Sequence, residues 1–386
     1  MRVRSLETRI ANAGLRNYVF VLLTADDGST GVGEASLEWQ ERAVQTLIHE
    51  WAEQYVIGSS PLEIEATASR MIRDQYQGGS TVMTAISAVE IAMWDLLGKH
   101  LNKPIYQLLG GRVHRSLPAY ANGWYGGIDT PEEYAQRAAE AISRGYQGVK
   151  FDPFGAAWKR LTPKEFSAAV DRVAAVRRAI GRAKKMMIEF HGRLSYRSAL
   201  DMIRAIAPYD PFWCEEPVAP ELVEQLVNLR KNCDVPIAAG ERNYTLPDFY
   251  RLMNLGAVDY VQLDVSHCGG LLAARKVAHV AEALDIGIAP HCSVGPVALA
   301  AALQFDAGVQ NFVIQESFSE YDVPWRSELV GGWEPCVGGE FAVPDEPGLG
   351  VGLNDDAFSE HPYVAHSFPS LWSTTWTDNF TQNESR

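Results

Sequence analysis

The chain has 386 residues, 47% hydrophobic and 21% charged, enough for two or three folding units or for one large barrel with an accessory domain. Its 34 Lys and Arg against 48 Asp and Glu leave a formal net charge of -14, so there is no basic footprint for a phosphate backbone and no nucleic-acid partner is expected. No uninterrupted apolar run approaches the roughly 20 residues of a membrane helix, and the start MRVRSLETRIANAG has no leader-type apolar stretch, so no membrane partner is expected. Five scattered cysteines without CxxC spacing point to reduced thiols and a cytoplasmic setting.

Residues 1–40 read as antiparallel strands, VRSLETRI and then NYVFVLLTADDGSTGVGEA, with Asp27-Gly28 as the turn signal. From about 41 to 110 the period becomes helical, through AVQTLIHEWAEQYV, LEIEATASRMIRDQY and TAISAVEIAMWDLLGKH. Strands followed by helices predict a small α+β module over 1–115. After Gly110-Gly111, eight short apolar runs alternate with helical stretches over 116–325: LPAYAN, GVKFDP, KMMIEFH, PFWCEEP, PIAAGER, YVQLDV, IGIAPHC and NFVIQES. That alternation predicts a parallel (β/α) barrel. No GxGxxG opens the first unit, which argues against a dinucleotide fold. The segment 326–386 is rich in Trp, Pro and Gly and is expected to return to the first module, with its last dozen polar residues disordered.

The chemistry sits where the apolar runs end. Glu189, Glu215 and Glu241 follow one another at intervals of 26 residues, and Asp264 and His291 continue at 23 and 27, each interval the length of one strand-helix unit. In a barrel these side chains converge on the C-terminal mouth. Three carboxylates in one small volume raise each other's pKa unless a cation intervenes, and an all-oxygen donor set selects Mg²⁺ over zinc. One glutamate after a strand is ordinarily a rim charge; three in register are harder to assign to chance. Asp264, one unit before His291, is placed to hydrogen-bond its ring, which makes His291 a base candidate. His191 lies two residues after Glu189 and, in an extended strand, faces the same way. His267, in the turn after Asp264, stays open between a structural and a functional role. A metal, a base and a second proton donor suit removal of a proton α to a carboxylate, followed by loss of a β-hydroxyl or by reprotonation.

These residues resemble the enolase superfamily, in its mandelate racemase-like branch and especially its acid-sugar dehydratases. The resemblance runs through AISAVEIAMWDLLGKHLNKPIYQLLGG, EFHGRLS, EEPVAPE, AAGERNY, QLDVSHCGG, APHCSVGPVALAAALQ, IQES and PGLGV. It implies a modified TIM-type (β/α)7β barrel with an α+β N-terminal capping domain. It further implies Glu189, Glu215 and Glu241 as Mg²⁺ ligands, His291 with Asp264 as the base dyad, and His191 as the general acid. Glu316 is implied as a donor to the enediolate, and Lys150 matches the first lysine of the racemases' K-x-K pattern, whose second position here is Asp152. That substitution places dehydration of a galactonate-, gluconate- or pentonate-like acid sugar ahead of racemisation, epimerisation or lactone cycloisomerisation. Glu189 also stands where galactonate dehydratases usually carry Asp. Arg16, Asn17, Tyr76, Trp124, Asp152 and Arg242 are candidate substrate contacts, and a homo-oligomer is expected by analogy.

Overall fold

In the computed structural model, which describes residues 1–333 and 335–366, three strands open the chain. The polar last dozen residues expected to be disordered lie outside that range. Strands β1 (Val3–Ala13), β2 (Arg16–Ala25) and β3 (Thr30–Glu34) form an antiparallel sheet in chain order. Helices α1 (Glu41–Trp51), which runs on into a π-helical turn over Ala52–Val56, α2 (Ile64–Asp74), α3 (Ser80–Leu101) and α4 (Ile105–Leu108) follow. Helix α3 is long and apolar enough by length and composition to cross a membrane, which the reading of uninterrupted runs did not anticipate. It is instead a core helix: 89% of its most apolar window is buried, packed on β3 and against the barrel.

The barrel then runs through β4 (Ser116–Ala121), α5 (Pro131–Ser143), β5 (Gly148–Phe151), α6 (Pro163–Ile180), β6 (Lys185–Glu189), α7 (Tyr196–Ile206), β7 (Trp213–Glu215) and α8 (Val223–Asn232). It continues through β8 (Ile237–Ala239), α9 (Leu246–Asn254), β9 (Tyr260–Val261), α10 (Leu271–Ala283), β10 (Gly287–Ile288), α11 (Pro296–Asp306) and β11 (Gln315–Ser317). Neighbouring strands from β4 to β10 pair in parallel, β11 pairs in parallel with β4, and a bridge from Ile288 to Phe312 joins the remaining gap. Eight strands and seven intervening helices therefore close on themselves, and each strand coincides with one of the eight apolar runs, β4 starting one residue ahead of its run. Local sequence sets several helix starts. Thr130 with Glu133, Thr162 with Glu165 and Thr245 with Asp248 form reciprocal capping boxes, each with a proline in the first helical turn, and Ser195 caps α7.

Past the barrel, β12 (Cys336–Val337) and β13 (Glu340–Ala342) make a hairpin that extends the sheet antiparallel from β4. The chain then crosses the N-terminal module. The Leu349 amide donates to Asp95 of α3, α12 (Asp355–Glu360) packs on β1, Phe358 meets Phe20 edge to face, and Val364 exchanges two hydrogen bonds with the Asn17 side chain.

Candidate active site

The barrel interior explains why the reactive groups share one level. Tyr120, Met187, Trp213, Ala238, Ala289 and Ile314 form a fully buried apolar plug inside the ring. Because inward positions on a strand recur every second residue, the next inward residue is Asn122 after Tyr120, Glu189 after Met187, Glu215 after Trp213, His291 after Ala289 and Glu316 after Ile314. The plug thus forms the floor on which the polar layer stands. Strand β8 breaks the pattern, since the residue two after Ala238 is Gly240. Its φ of 146° and its closeness to Gln262, whose backbone N would lie 2.9 Å from an added Cβ, exclude a side chain, and Glu241 takes the place one residue later.

Glu189, Glu215 and Glu241 each present a carboxylate oxygen within 4.8 Å of the others. Glu189 and Glu215 are buried, and neighbouring register pairs them directly across β6 and β7. Lys150, also buried, places Nζ 2.5 Å from Glu215, 2.8 Å from Glu316 and 3.6 Å from Glu189. Burial alone would raise the Glu215 pKa, but the Lys150 ammonium outweighs it and holds the carboxyl below its usual range. Glu189 moves the other way: burial and the charge of Glu215 push it well above the usual carboxylate range. Three carboxylates, those of Glu189, Glu215 and Glu316, share one ammonium, and Glu241 adds a fourth carboxylate beside the first two. This donor set fits a divalent cation, which would relieve the repulsion that one lysine leaves unbalanced.

Two imidazoles stand beside this cluster. His291 Nδ1 is 2.8 Å from Asp264 Oδ2, while Asp264 Oδ1 accepts from the Ser266 amide. Its Nε2 lies 3.5 Å from Glu241 and 3.9 Å from Glu316. Burial opposes protonation of this ring, yet the charges of Glu241 and Glu316 and the bond to Asp264 prevail and push its pKa up to about 10. His191 Nδ1 is 2.7 Å from Asp152 Oδ2, and Arg193, wholly buried, bonds the same oxygen. Here burial wins and the His191 pKa falls below its ordinary value. The strand ends at Glu189, so extended periodicity is not what brings His191 inward. His191 adopts φ 47°, a left-handed turn, and its amide donates to Glu189 Oε1 at 2.6 Å.

A cavity of about 270 Å³ opens over these groups, lined by Lys150, Glu189, His191, Glu241 and His291 among others. Comparison with known proteins agrees with this arrangement. The mandelate racemase / muconate lactonizing enzyme N-terminal domain family matches residues 2–110, and the enolase C-terminal domain-like family matches residues 133–357. The chain belongs to the enolase superfamily.

Among its relatives, a D-gluconate/D-galactonate dehydratase of Picrophilus torridus is 35% identical over 335 residues, 86% of this chain and 85% of that protein. A D-galactonate dehydratase of Xanthomonas oryzae is 36% identical, covering 88% of this chain and 89% of the relative. A mandelate racemase/muconate lactonizing enzyme from Sulfitobacter superposes with a TM-score of 0.90 at 30% identity, over 95% of this chain and 97% of its own. The fold of this superfamily, an N-terminal cap on a C-terminal barrel, is the one described above.

Of the side chains expected to touch substrate, Arg16 and Arg242 line the cavity. Arg16 is held by the Ser293 carbonyl at 2.7 Å and Asp322 at 3.0 Å; Arg242 pairs with Glu216, the second glutamate of EEP. The other four lie away from the cavity wall. Asp152 is buried behind His191 as its partner, and Asn17 is engaged by Val364 and Glu41. Trp124 is buried with its indole N–H on the Lys150 carbonyl, and Tyr76 is 96% exposed in the turn before α3. Glu316, expected as a donor, here accepts from Lys150, from Asn122 at 2.7 Å and from the Cys292 amide at 2.9 Å, and is held ionised. His267 lines the cavity and bonds Thr84 of α3 at 2.8 Å.

The sequence reading missed Asn122, Glu38, Trp39, Tyr125, Tyr244, Ser293 and Phe318 on the wall. Asn122 carried the same signal as the glutamates, a polar residue directly after an apolar run, and could have been found. The others come from loops whose approach to the mouth no local period encodes.

Proposed function

We propose that this protein is a Mg²⁺-dependent hydro-lyase. It removes the proton α to the carboxylate of a galactonate-, gluconate- or pentonate-like acid sugar and expels the β-hydroxyl to give a 2-keto-3-deoxy sugar acid. The observation that carries this reading is the pair of imidazoles. His191 follows β6 and His291 follows β10, four strands apart in a ring of eight, and both line the same cavity. Each bonds its own aspartate through Nδ1, which makes Nε2 the nitrogen to exchange protons with a substrate. The names of the relatives supply the substrate class.

His291 Nε2 takes the α-proton, and Asp264 stabilises the imidazolium that results. Lys150 directs its ammonium at the carboxylate end, where negative charge grows as the proton leaves. Glu189, Glu215 and Glu241 would hold Mg²⁺, which supplies charge neutralisation for the substrate dianion and relieves the field that keeps His291 protonated. His191 delivers a proton to the departing hydroxyl. An anionic substrate beside its ring favours the imidazolium over the neutral form that burial imposes. Asp152, at the position of a second racemase lysine, is committed to this imidazole and to Arg193, which favours elimination over two-base epimerisation.

Incubating a library of acid sugars with the protein and Mg²⁺, and assaying 2-keto acid formation, tests the proposal. Conversion of at least one aldonate to its 2-keto-3-deoxy product is expected. An epimer or lactone isomer formed with no keto acid would overturn it.

A further inference from the structure

Helices α10 and α11 follow the two strand–loop segments that carry Asp264, after β9, and His291, after β10, and both begin at a glycine, Gly270 and Gly295, with no side-chain cap of their own. Helices α5, α6, α7 and α9 are capped by a Ser or Thr immediately before them. The missing acceptors come from the N-terminal module. Glu34, at the end of β3, accepts from the amides of Gly295 at 2.6 Å, Val297 at 3.0 Å and Ala298 at 2.9 Å. Glu90, on α3, accepts from those of Leu271 at 2.9 Å and Leu272 at 3.0 Å. Both carboxyls are fully buried. The glycines are what admit them: a Cβ on Gly295 would lie 2.4 Å from Glu34, and one on Gly270 would lie 2.1 Å from Glu90.

The same face of α3 continues the grip. Ser87 accepts from the Gly269 amide at 2.9 Å, and Thr84 bonds the His267 ring. On the other segment, Arg16 of β2 holds the Ser293 carbonyl and Arg326 holds that of Val294. From these contacts we propose that Glu34 and Glu90 are positioning residues for the base dyad: each seats a carboxylate of the cap on the start of a barrel helix and so fixes the loop that presents His291 or Asp264. This rests on the reading of that dyad as the base. It makes proton abstraction depend on docking of the cap, while the three glutamates proposed to hold the metal stand at the ends of β6 and β7 and just past β8, outside the grip.

The test uses the full chain with Glu34→Gln and Glu90→Gln, each of which sets an amide N–H against backbone donors. Turnover should fall on the order of 10- to 100-fold, because sub-ångström misplacement of a base is costly, with KM changed less than about threefold. Mg²⁺ affinity measured by calorimetry should match wild type, and hydrogen exchange should show protection lost over residues 264–272 and 291–298 but kept in β6 and β7. Asp95→Asn is the control. Asp95 is another buried α3 carboxylate, but it holds Val32 and Leu349 instead of the dyad loops, so its loss should lower stability and leave turnover intact. Ser87→Ala, a milder lesion, should reproduce the Glu90 pattern at smaller size if Glu90→Gln fails to fold. Wild-type protection of the two segments in the variants, or lost stability with unchanged turnover, would overturn the inference. If wild type converts no acid sugar while the segments still lose protection, the proposed function falls and the clamp stands.

Discussion

Lys150→Met isolates the charge balance on which the site depends. Lys150 is the ammonium within hydrogen-bond distance of both Glu215 and Glu316, and methionine keeps most of its volume. Its removal leaves two buried, ionised carboxylates without their partner, a lesion that costs about 3–5 kcal/mol. At about 2.1 cal/mol/K per residue over 386 residues, this corresponds to a fall in Tm of about 4–6 °C. Because Glu215 also belongs to the set proposed to hold Mg²⁺, the ion should restore part of the loss and stabilise the variant more than it stabilises wild type. Paired thermal and urea melts with and without Mg²⁺, followed by circular dichroism, give both quantities. A loss below about 1 kcal/mol without metal, the worth of an exposed pair, would refute the argument that buried Lys150 compensates these carboxylates.

His291→Asn should abolish exchange of the α-proton and formation of keto acid together, by about 10²- to 10⁴-fold, whereas His191→Asn should slow keto-acid formation more than exchange; proton exchange in D₂O followed by NMR separates the two, and full turnover in both variants would remove their assignments. The His291 pKa stands near 10 in the folded, metal-free protein, above its ordinary 6.5, so its contribution to stability is complete below about pH 6.5 and disappears as pH rises through about 10. Melts across that range should show this decline without Mg²⁺ and a flatter profile with it. Asp306, buried at the end of α11 with no hydrogen-bond partner for either oxygen among the described residues, is pushed well above the carboxylate range by burial. A raised pKa makes Asp306 lose stability as pH rises, so Asp306→Asn should stabilise the protein by about 1–3 kcal/mol at pH 8 and much less at pH 4, read by urea denaturation at both values.

The barrel was legible because each strand is a short apolar run ending in a polar residue, and period-2 alternation then carries both the Met187 plug and Glu189 above it. Glu189, Glu215 and the Asp264–His291 contact follow from that register, whereas Glu241 reaches the same level one residue out of step, past Gly240. His191 was found for a reason the backbone does not use, since its direction comes from a left-handed φ that a sequence does not display. Trp124 and Asn17 lie close to the mouth in sequence terms but are spent on packing and on the C-terminal segment. Glu34 and Glu90 were invisible for a different reason: their partners are backbone amides some 180 to 260 residues away, and no side-chain pattern records such a pairing. The β12–β13 hairpin was hidden in a Gly- and Trp-rich stretch with little alternation to read.

The path of the chain after β11 also bears on biosynthesis. The sheet of the first module emerges from the ribosome before the barrel, but Phe358, which covers Phe20, and Val364, which satisfies Asn17, arrive after the last barrel strand. Folding from the N-terminus during translation must therefore leave one flank of that first sheet uncovered until the chain has passed the last barrel strand, and a nascent chain halted just past Ser317 would hold the three clustered glutamates and both aspartate-paired histidines yet still expose that flank.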